Sequence, residues 1–139
     1  MNAAFVIDCS LAMSWLFADE ATPHTAKLLE RIADETALVP SWWFLEVTNV
    51  LAIAERHGRI TIAQSAEFLA ELSKLAIEID TDSAGRAFDH LLPLCRAHQL
   101  TSYDAVYLNL AIRRGLPLAT LDEPLRKAAK KAGLKLLGR

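Results

Sequence analysis

The sequence predicts an α/β fold, a three-layer α/β/α sandwich around a parallel sheet of four to five strands. Two observations carry this. Short, near-continuous apolar runs recur along the chain ("AAFVID", "ALVP", "AIEID", "LPLATLD", "LKLLG"), and strands that are apolar on both faces belong to a parallel sheet covered on both sides. Between them lie longer stretches with apolar residues at helical spacing, so strand and helix alternate as crossover connections require. No repeat, low-complexity tract or linker breaks the series, and 139 residues suit a single domain over 1–139. Such a chain buries about 68–70% of its unfolded surface and needs no disulfide or structural metal to fold.

The elements follow in order. Ala3–Asp8 is the first strand, ended by "CS". "SLAMSWLFA" reads as a short helix capped by Ser10, because a serine oxygen satisfies an orphan N–H at a helix start. "TPHTAKLLERIAD" is an amphipathic helix with Thr22 as cap and Pro23 in its first turn, where a missing N–H is harmless. Ala37–Pro40 is the second strand, and a long helix runs from a Ser41 cap to Gly58. A further helix starts at a Thr61 cap, and Ala76–Asp80 alternates as a strand. "DSAGRAFDHLLPLCRAHQ" reads as a helix that Pro93 kinks or interrupts, since proline removes a helical hydrogen bond. "LTSYDAVYLNLAIRRG" is a helix built for burial after a Ser102 cap, with Asp104 in its first turn. "LPLATLD", "EPLRKAAKKAG" and "LKLLG" complete the series as strand, helix and short strand.

Composition narrows the function. No segment has the form of a secretion signal, and no apolar stretch reaches the ~18 residues of a membrane span; the expected location is cytoplasmic. Cys9 and Cys95 lie far apart with no metal-ligand spacing, as two reduced thiols do. Hydrophobic residues make up 53% of the chain, enough to predict an apolar patch that another chain covers. The net charge of −2 hides an asymmetry: residues 1–112 carry seven Lys/Arg against fifteen Asp/Glu, and residues 113–139 carry eight against two. That basic end is either a solvated face or a rim that attracts phosphate.

In an open α/β sheet, ligands bind beyond the carboxyl ends of the strands, where strand order reverses. Asp8 and Asp122 end two strands, Glu46 lies in the second turn of the helix after the second strand, and Asp104 starts the helix before the fourth. If the first and fourth strands are neighbours, all four reach one crevice. Singly, three of them have ordinary explanations: a helix-start acid for Asp104, a cap for Asp122, an Asx-turn for Asp8. Glu46 is harder to dismiss. It is the one charged residue between Glu35 and Glu55, and a buried carboxylate needs a cation or donors. Asn49, one turn on, is placed to supply one. Clustered carboxylates repel unless a cation neutralises them, and hard oxygen ligands select Mg²⁺ or Mn²⁺. Such a site polarises a phosphoryl oxygen and lowers the pKa of a water, which is phosphodiester hydrolysis. No GxSxG, HExxH or phosphate-binding glycine loop is present, and His24, His57, His90 and His98 lack ligand spacing.

"FVIDCSLAMSWL", "PSWWFLEVTNVLA", "LTSYDAVYLNLAIRRGLPLATLD" and "LKLL" together resemble a PIN-domain ribonuclease of the VapC toxin type, over essentially the whole chain in order. The resemblance implies a Mg²⁺- or Mn²⁺-dependent endoribonuclease acting on RNA such as tRNA or rRNA, a cognate antitoxin, and a homodimer. The family's acidic set falls on Asp8, Glu46, Asp104 and Asp122, with Asp8 and Asp104 as the most direct metal ligands. Its small polar positions fall on Ser10 and Thr120, which would orient carboxylates or waters. The antitoxin would lay an apolar stretch near Trp15, Leu16, Trp42 and Leu51. Two other readings stand beside this one. A non-catalytic PIN-fold RNA-binding scaffold would not cleave RNA when given metal. "DCS" also resembles the Asp-x-Asp of haloacid-dehalogenase-like phosphatases, although Ser10 stands where those enzymes carry a second acid.

Overall fold

The computed structural model describes residues 2–139. Five strands, β1 (Ala3–Ile7), β2 (Thr36–Pro40), β3 (Ile77–Asp80), β4 (Leu118–Ala119) and β5 (Leu136–Leu137), form one sheet in the order β3-β2-β1-β4-β5. Every pairing is parallel. The chain builds outward from β1 in one direction through β2 and β3, then returns to the other side of β1 for β4 and β5. Strand order therefore reverses between β1 and β4, which creates a crevice beyond their carboxyl ends. Val6 and Ile7 pair with Leu118 and Ala119 there, as the neighbourhood of first and fourth strands requires.

Seven α-helices cover the sheet: α1 (Cys9–Met13), α2 (Pro23–Arg31), α3 (Trp43–Arg56), α4 (Ile62–Leu72), α5 (Leu92–His98), α6 (Ser102–Arg114) and α7 (Glu123–Lys131). None of the described helices is long and apolar enough to cross a membrane. α6 packs across β1, β2 and β4, and Ala105–Ala111 is buried on every side. A helix apolar all round is one enclosed by other elements. Thr22 and Thr61 cap α2 and α4 as expected, each in a reciprocal capping box, with Thr25 and Gln64 respectively.

The structure departs from the sequence reading at several element ends, each for a local reason. Asp8, not Ser10, caps α1: its carboxylate accepts from the Leu11 N–H at 3.0 Å, while the Ser10 hydroxyl is spent elsewhere. That helix is only five residues, because the Ser14 hydroxyl bonds back to the Leu11 carbonyl and competes with helix continuation. Ser41 does not cap α3; Trp42 occupies the cap position without a side-chain bond. The later start puts Glu46 in the first turn rather than the second. Ser102 yields to Thr101, whose hydroxyl accepts from the Asp104 N–H at 3.2 Å.

The stretch expected as one helix over 82–99 is instead a 3₁₀ turn (Ala84–Arg86), a π turn (Ala87–Leu91) and then α5. Pro93 explains the break: it sits in the first turn of α5, the one helical place where its missing N–H costs nothing. β4 and β5 are two residues each, so Thr120, Leu121 and Asp122 belong to the loop beyond β4.

One acid at a strand end is not part of the crevice. Asp80 closes β3 and is buried, and there it meets Arg113 of α6 at 3.1 Å and the Ser83 hydroxyl at 2.6 Å. Burial pushes its carboxyl up, but Arg113 and Ser83 outweigh that and hold it below the usual carboxylate range. The pair ties the outer edge of the sheet to the helix that carries Asp104. Removing only the cation strands a buried charge, so Arg113→Ala is expected to cost about 3–5 kcal/mol. Asp80→Leu with Arg113→Leu should recover most of that, as read by urea unfolding at neutral pH. A depressed folded pKa gives stability above the unfolded value that is lost as pH falls through the folded one. The penalty of Arg113→Ala should therefore shrink in acid.

Candidate active site

At the switch point, one carboxylate is held from three sides. Asp8 is 4% exposed. Its Oδ1 accepts from Ser10 Oγ at 2.7 Å and from the Leu11 N–H at 3.0 Å, and its Oδ2 accepts from Thr120 Oγ1 at 2.5 Å. Ser10 Oγ in turn accepts from the Leu121 N–H (2.9 Å), and Thr120 Oγ1 from the Asp122 N–H (3.0 Å). Each hydroxyl has one proton, and each spends it on Asp8. The 3.3 Å approach of Ser10 to Thr120 is therefore proximity, not a third bond. Asp122 caps α7 by accepting from the Leu125 N–H at 3.0 Å. These bonds lace the end of β1 to the end of β4.

The other two acids arrive from helix starts. Glu46 is half-buried, and the Tyr107 hydroxyl donates to its carboxylate. Asp104 is half-buried in the first turn of α6, one turn before Tyr107. Asp8, Glu46, Asp104 and Asp122 line a single cleft of ≈ 400 Å³ together with Ser10 and Asn49. The structure thus brings together six of the seven sequence-predicted site residues, and Thr120 lies directly behind them, fully buried. Asn49 is at the rim and makes no hydrogen bond to Glu46 among the described residues; Tyr107 does that work. The sequence held a signal for it, because Tyr107 is a polar-tipped residue inside the mostly apolar run 105–112, and a buried tyrosine hydroxyl usually finds a partner.

Electrostatics show what the cleft lacks. Burial pushes Asp8 up to about 6 against the opposing hydrogen bonds from Thr120, Ser10 and Leu11, with Asp122 adding to the rise. Burial also raises Glu46, against the Tyr107 bond, and Asp8 and Asp104 push it further. Burial and the Asp122 charge raise Asp104. Burial thus disfavours the charged form of Asp8, Glu46 and Asp104, and at each a neighbouring acid adds to the penalty. Arg59 is the one cation lining the cleft among the described residues, and it is committed: it pairs with Asp19 and Glu20 at 2.9 and 3.0 Å and stacks on the Phe17 ring.

An all-oxygen, mutually repelling donor set fits a hard divalent cation. No three His, Cys, Asp or Glu side chains among the described residues already close on one point; like charges stand apart around the cleft. Cys9 beside them is no nucleophile, since burial, Glu46 and Asp8 push its thiol up to about 12.

Comparisons with known proteins bear on the family and the fold. The family model described as PIN domain matches residues 5–131. A crystal structure of PAE2754 from Pyrobaculum aerophilum superposes with a TM-score of 0.70 at 23% identity, covering 96% of this chain and 83% of that one. The structure of VapBC2 from Rickettsia felis bound to a DNA fragment from their promoter superposes with a TM-score of 0.68 at 14% identity, covering 96% of each chain. A search of the curated proteins finds no match.

The raised Asp8 makes a stability prediction with a definite sign. A carboxyl whose folded pKa exceeds its unfolded value favours the folded state fully below the unfolded value, and loses that contribution as pH rises through the folded one. A rise from 3.8 to about 6 is worth roughly 3 kcal/mol at most. Asp8→Asn keeps an acceptor for Ser10 and Leu11 and offers its amide to Thr120. In chelator at pH 7.5, it should be more stable than the unmodified protein by about 1–3 kcal/mol. The advantage should vanish below about pH 4, as compared by urea unfolding at both pH values.

Proposed function

The chain belongs to the PIN-domain family, and on that premise we propose that it is a metal-dependent endoribonuclease, the toxin of a toxin–antitoxin pair. The observation that carries the reading is that Asp8, Glu46, Asp104 and Asp122 line one cleft at the sheet's switch point, where the one cation among the described lining residues, Arg59, is taken up by Asp19 and Glu20. In this reading residues 1–139 form a single PIN domain. Asp8, Glu46, Asp104 and Asp122 hold Mg²⁺ or Mn²⁺, directly or through water. Bound there, the ion supplies Lewis acidity toward a phosphoryl oxygen and acidifies a water.

The chain's own side chains do the positioning. Ser10 and Thr120 fix both oxygens of Asp8, and Tyr107 fixes Glu46. Outer hydrogen bonds of this kind set the orientation and basicity of a ligand. An antitoxin partner is supported by a mainly apolar groove where Trp15 and Leu16 face Leu29, Phe68, Leu72 and Leu75. Trp15 and Leu16 were expected there; Leu51 is instead core, and Trp42 lies outside the groove. The homodimer and the cytoplasmic location remain part of the same proposal.

Purified protein should cleave RNA with Mg²⁺ or Mn²⁺ and not in chelator. Asp104→Asn should abolish cleavage with fold and thermal stability retained; undiminished cleavage would sink the site assignment. Tyr107→Phe keeps the packed ring and deletes one donor, so it should reduce activity about 10–100-fold. That loss should be partly restored by raising the metal concentration in a titration of initial rate.

A further inference from the structure

A second groove, ≈ 640 Å³ in volume, lies where the end of α5 faces α7. His98 and Gln99 form one wall, and Glu123, Lys127 and Lys131 form the other. The three α7 residues are spaced i, i+4, i+8 and so share one helical face. Glu123 is held by Arg139 rather than by Lys127. Lys127 and Lys131 are exposed and have no acidic partner among the described residues. The groove thus presents two uncompensated ammonium groups and a carboxylate already neutralised.

Each wall adjoins in the chain a residue at or beside the carboxylate cleft. Glu123 follows Asp122 directly, and Gln99 leads through Leu100 to Thr101, the cap of the helix bearing Asp104. Along the α7 axis, Lys127 and Lys131 lie about 7 and 13 Å beyond Asp122 at 1.5 Å per residue. We propose that this α5–α7 groove carries the backbone of a single-stranded RNA substrate, with Lys127 and Lys131 on phosphates a few nucleotides from the one at the carboxylates. The proposal rests on the ribonuclease reading and adds the path of the strand.

The chemistry favours a nucleic acid over a protein ligand. Lysines are mobile point charges that contact phosphate without reading sequence. His98 and Gln99 add hydrogen-bonding groups suited to phosphate and 2′-hydroxyl groups. The lining has no large apolar or aromatic anchor of the kind a docked polypeptide uses.

The test compares Lys127→Ala/Lys131→Ala with Lys130→Ala/Lys135→Ala, which removes the same charge outside the groove. Alanine is the best helix former, so α7 is retained. Binding of a fluorescent single-stranded RNA oligonucleotide is measured by anisotropy in chelator, where no cleavage occurs. The groove pair should weaken binding about tenfold at low salt and lower the slope of log K against log salt by about 1.4, two phosphate contacts at ~0.7 each. The control pair should change binding less than about twofold. With metal added, KM should rise for the groove pair and kcat should hold. Equal loss from both pairs, no RNA binding by the unmodified protein, or a groove pair that impairs only antitoxin binding would each overturn the proposal. Tight binding through the groove without any metal-dependent cleavage would instead overturn the ribonuclease reading and leave the groove in place.

Discussion

The desolvation of Asp8 is the constraint on which the rest of the site is built. A buried carboxylate is tolerated only if donors replace its water, and here they come from two separate parts of the chain. Ser10 and Leu11 lie just after β1; Thr120 lies just after β4, more than a hundred residues on. Supplying those donors fixes the loop beyond β4, because the same two hydroxyls also receive the Leu121 and Asp122 N–H groups. Arg126 strengthens the arrangement by donating to the Thr120 and Leu137 carbonyls at 2.7 and 3.0 Å. Gly138 completes it with φ of 106°, where an added Cβ would stand 3.3 Å from the Thr120 oxygen. One buried charge therefore organises the ends of three strands.

Asp80 shows what a settled acid looks like in the same fold. It too is buried at a strand end, yet Arg113 and Ser83 depress its pKa and lock it. Asp8, Glu46 and Asp104 are all pushed the opposite way, by burial first and then by a neighbouring acid: Asp122 for Asp8 and Asp104, and Asp8 and Asp104 for Glu46. The difference is the arginine that pairs with Asp80 and has no counterpart at the other three among the described residues, and it separates structural acids from candidate ligands more sharply than position does.

This contrast also explains how far the sequence could be read. The alternation of apolar runs and amphipathic stretches was enough for a parallel sheet, and strand-end logic was enough to gather Asp8, Glu46, Asp104 and Asp122. Applied evenly, the same logic admits Asp80, which nothing in the local sequence around "AIEID" marks as Arg113's partner. Tyr107 was visible as a buried polar tip but not as Glu46's donor, because that bond joins residues 61 apart. Caps were misplaced by one or two residues at Ser10, Ser41 and Ser102. In "VIDCS", "PSWW" and "LTSYD" more than one side chain or turn can begin the helix, and tertiary bonds decide which does. Ser10 lost the cap of α1 because its hydroxyl was needed between Asp8 and Leu121.

Under the proposed function, capping and ligation would be parts of one device. An ionised carboxylate has about four lone-pair sites. Asp8 spends two on Oδ1 and one on Oδ2, leaving one. Asp122 spends one on the Leu125 N–H, and Glu46 one on Tyr107. Asp104 makes no carboxylate bond to a backbone N–H among the described residues; its own N–H instead goes to Thr101. The acids therefore grade from the most fixed, Asp8, to Asp122, Glu46 and Asp104, each with fewer bonds, the last steadied by the Thr101 side chain. Under the proposed function, a site so graded would have one rigid oxygen to set position and several freer ones to close around a cation. This accounts for carboxylates that share a cleft without already converging on a point. It also gives two of the caps a part: Asp8 and Asp122, each accepting a backbone N–H of the helix it starts, are kept from rotating away.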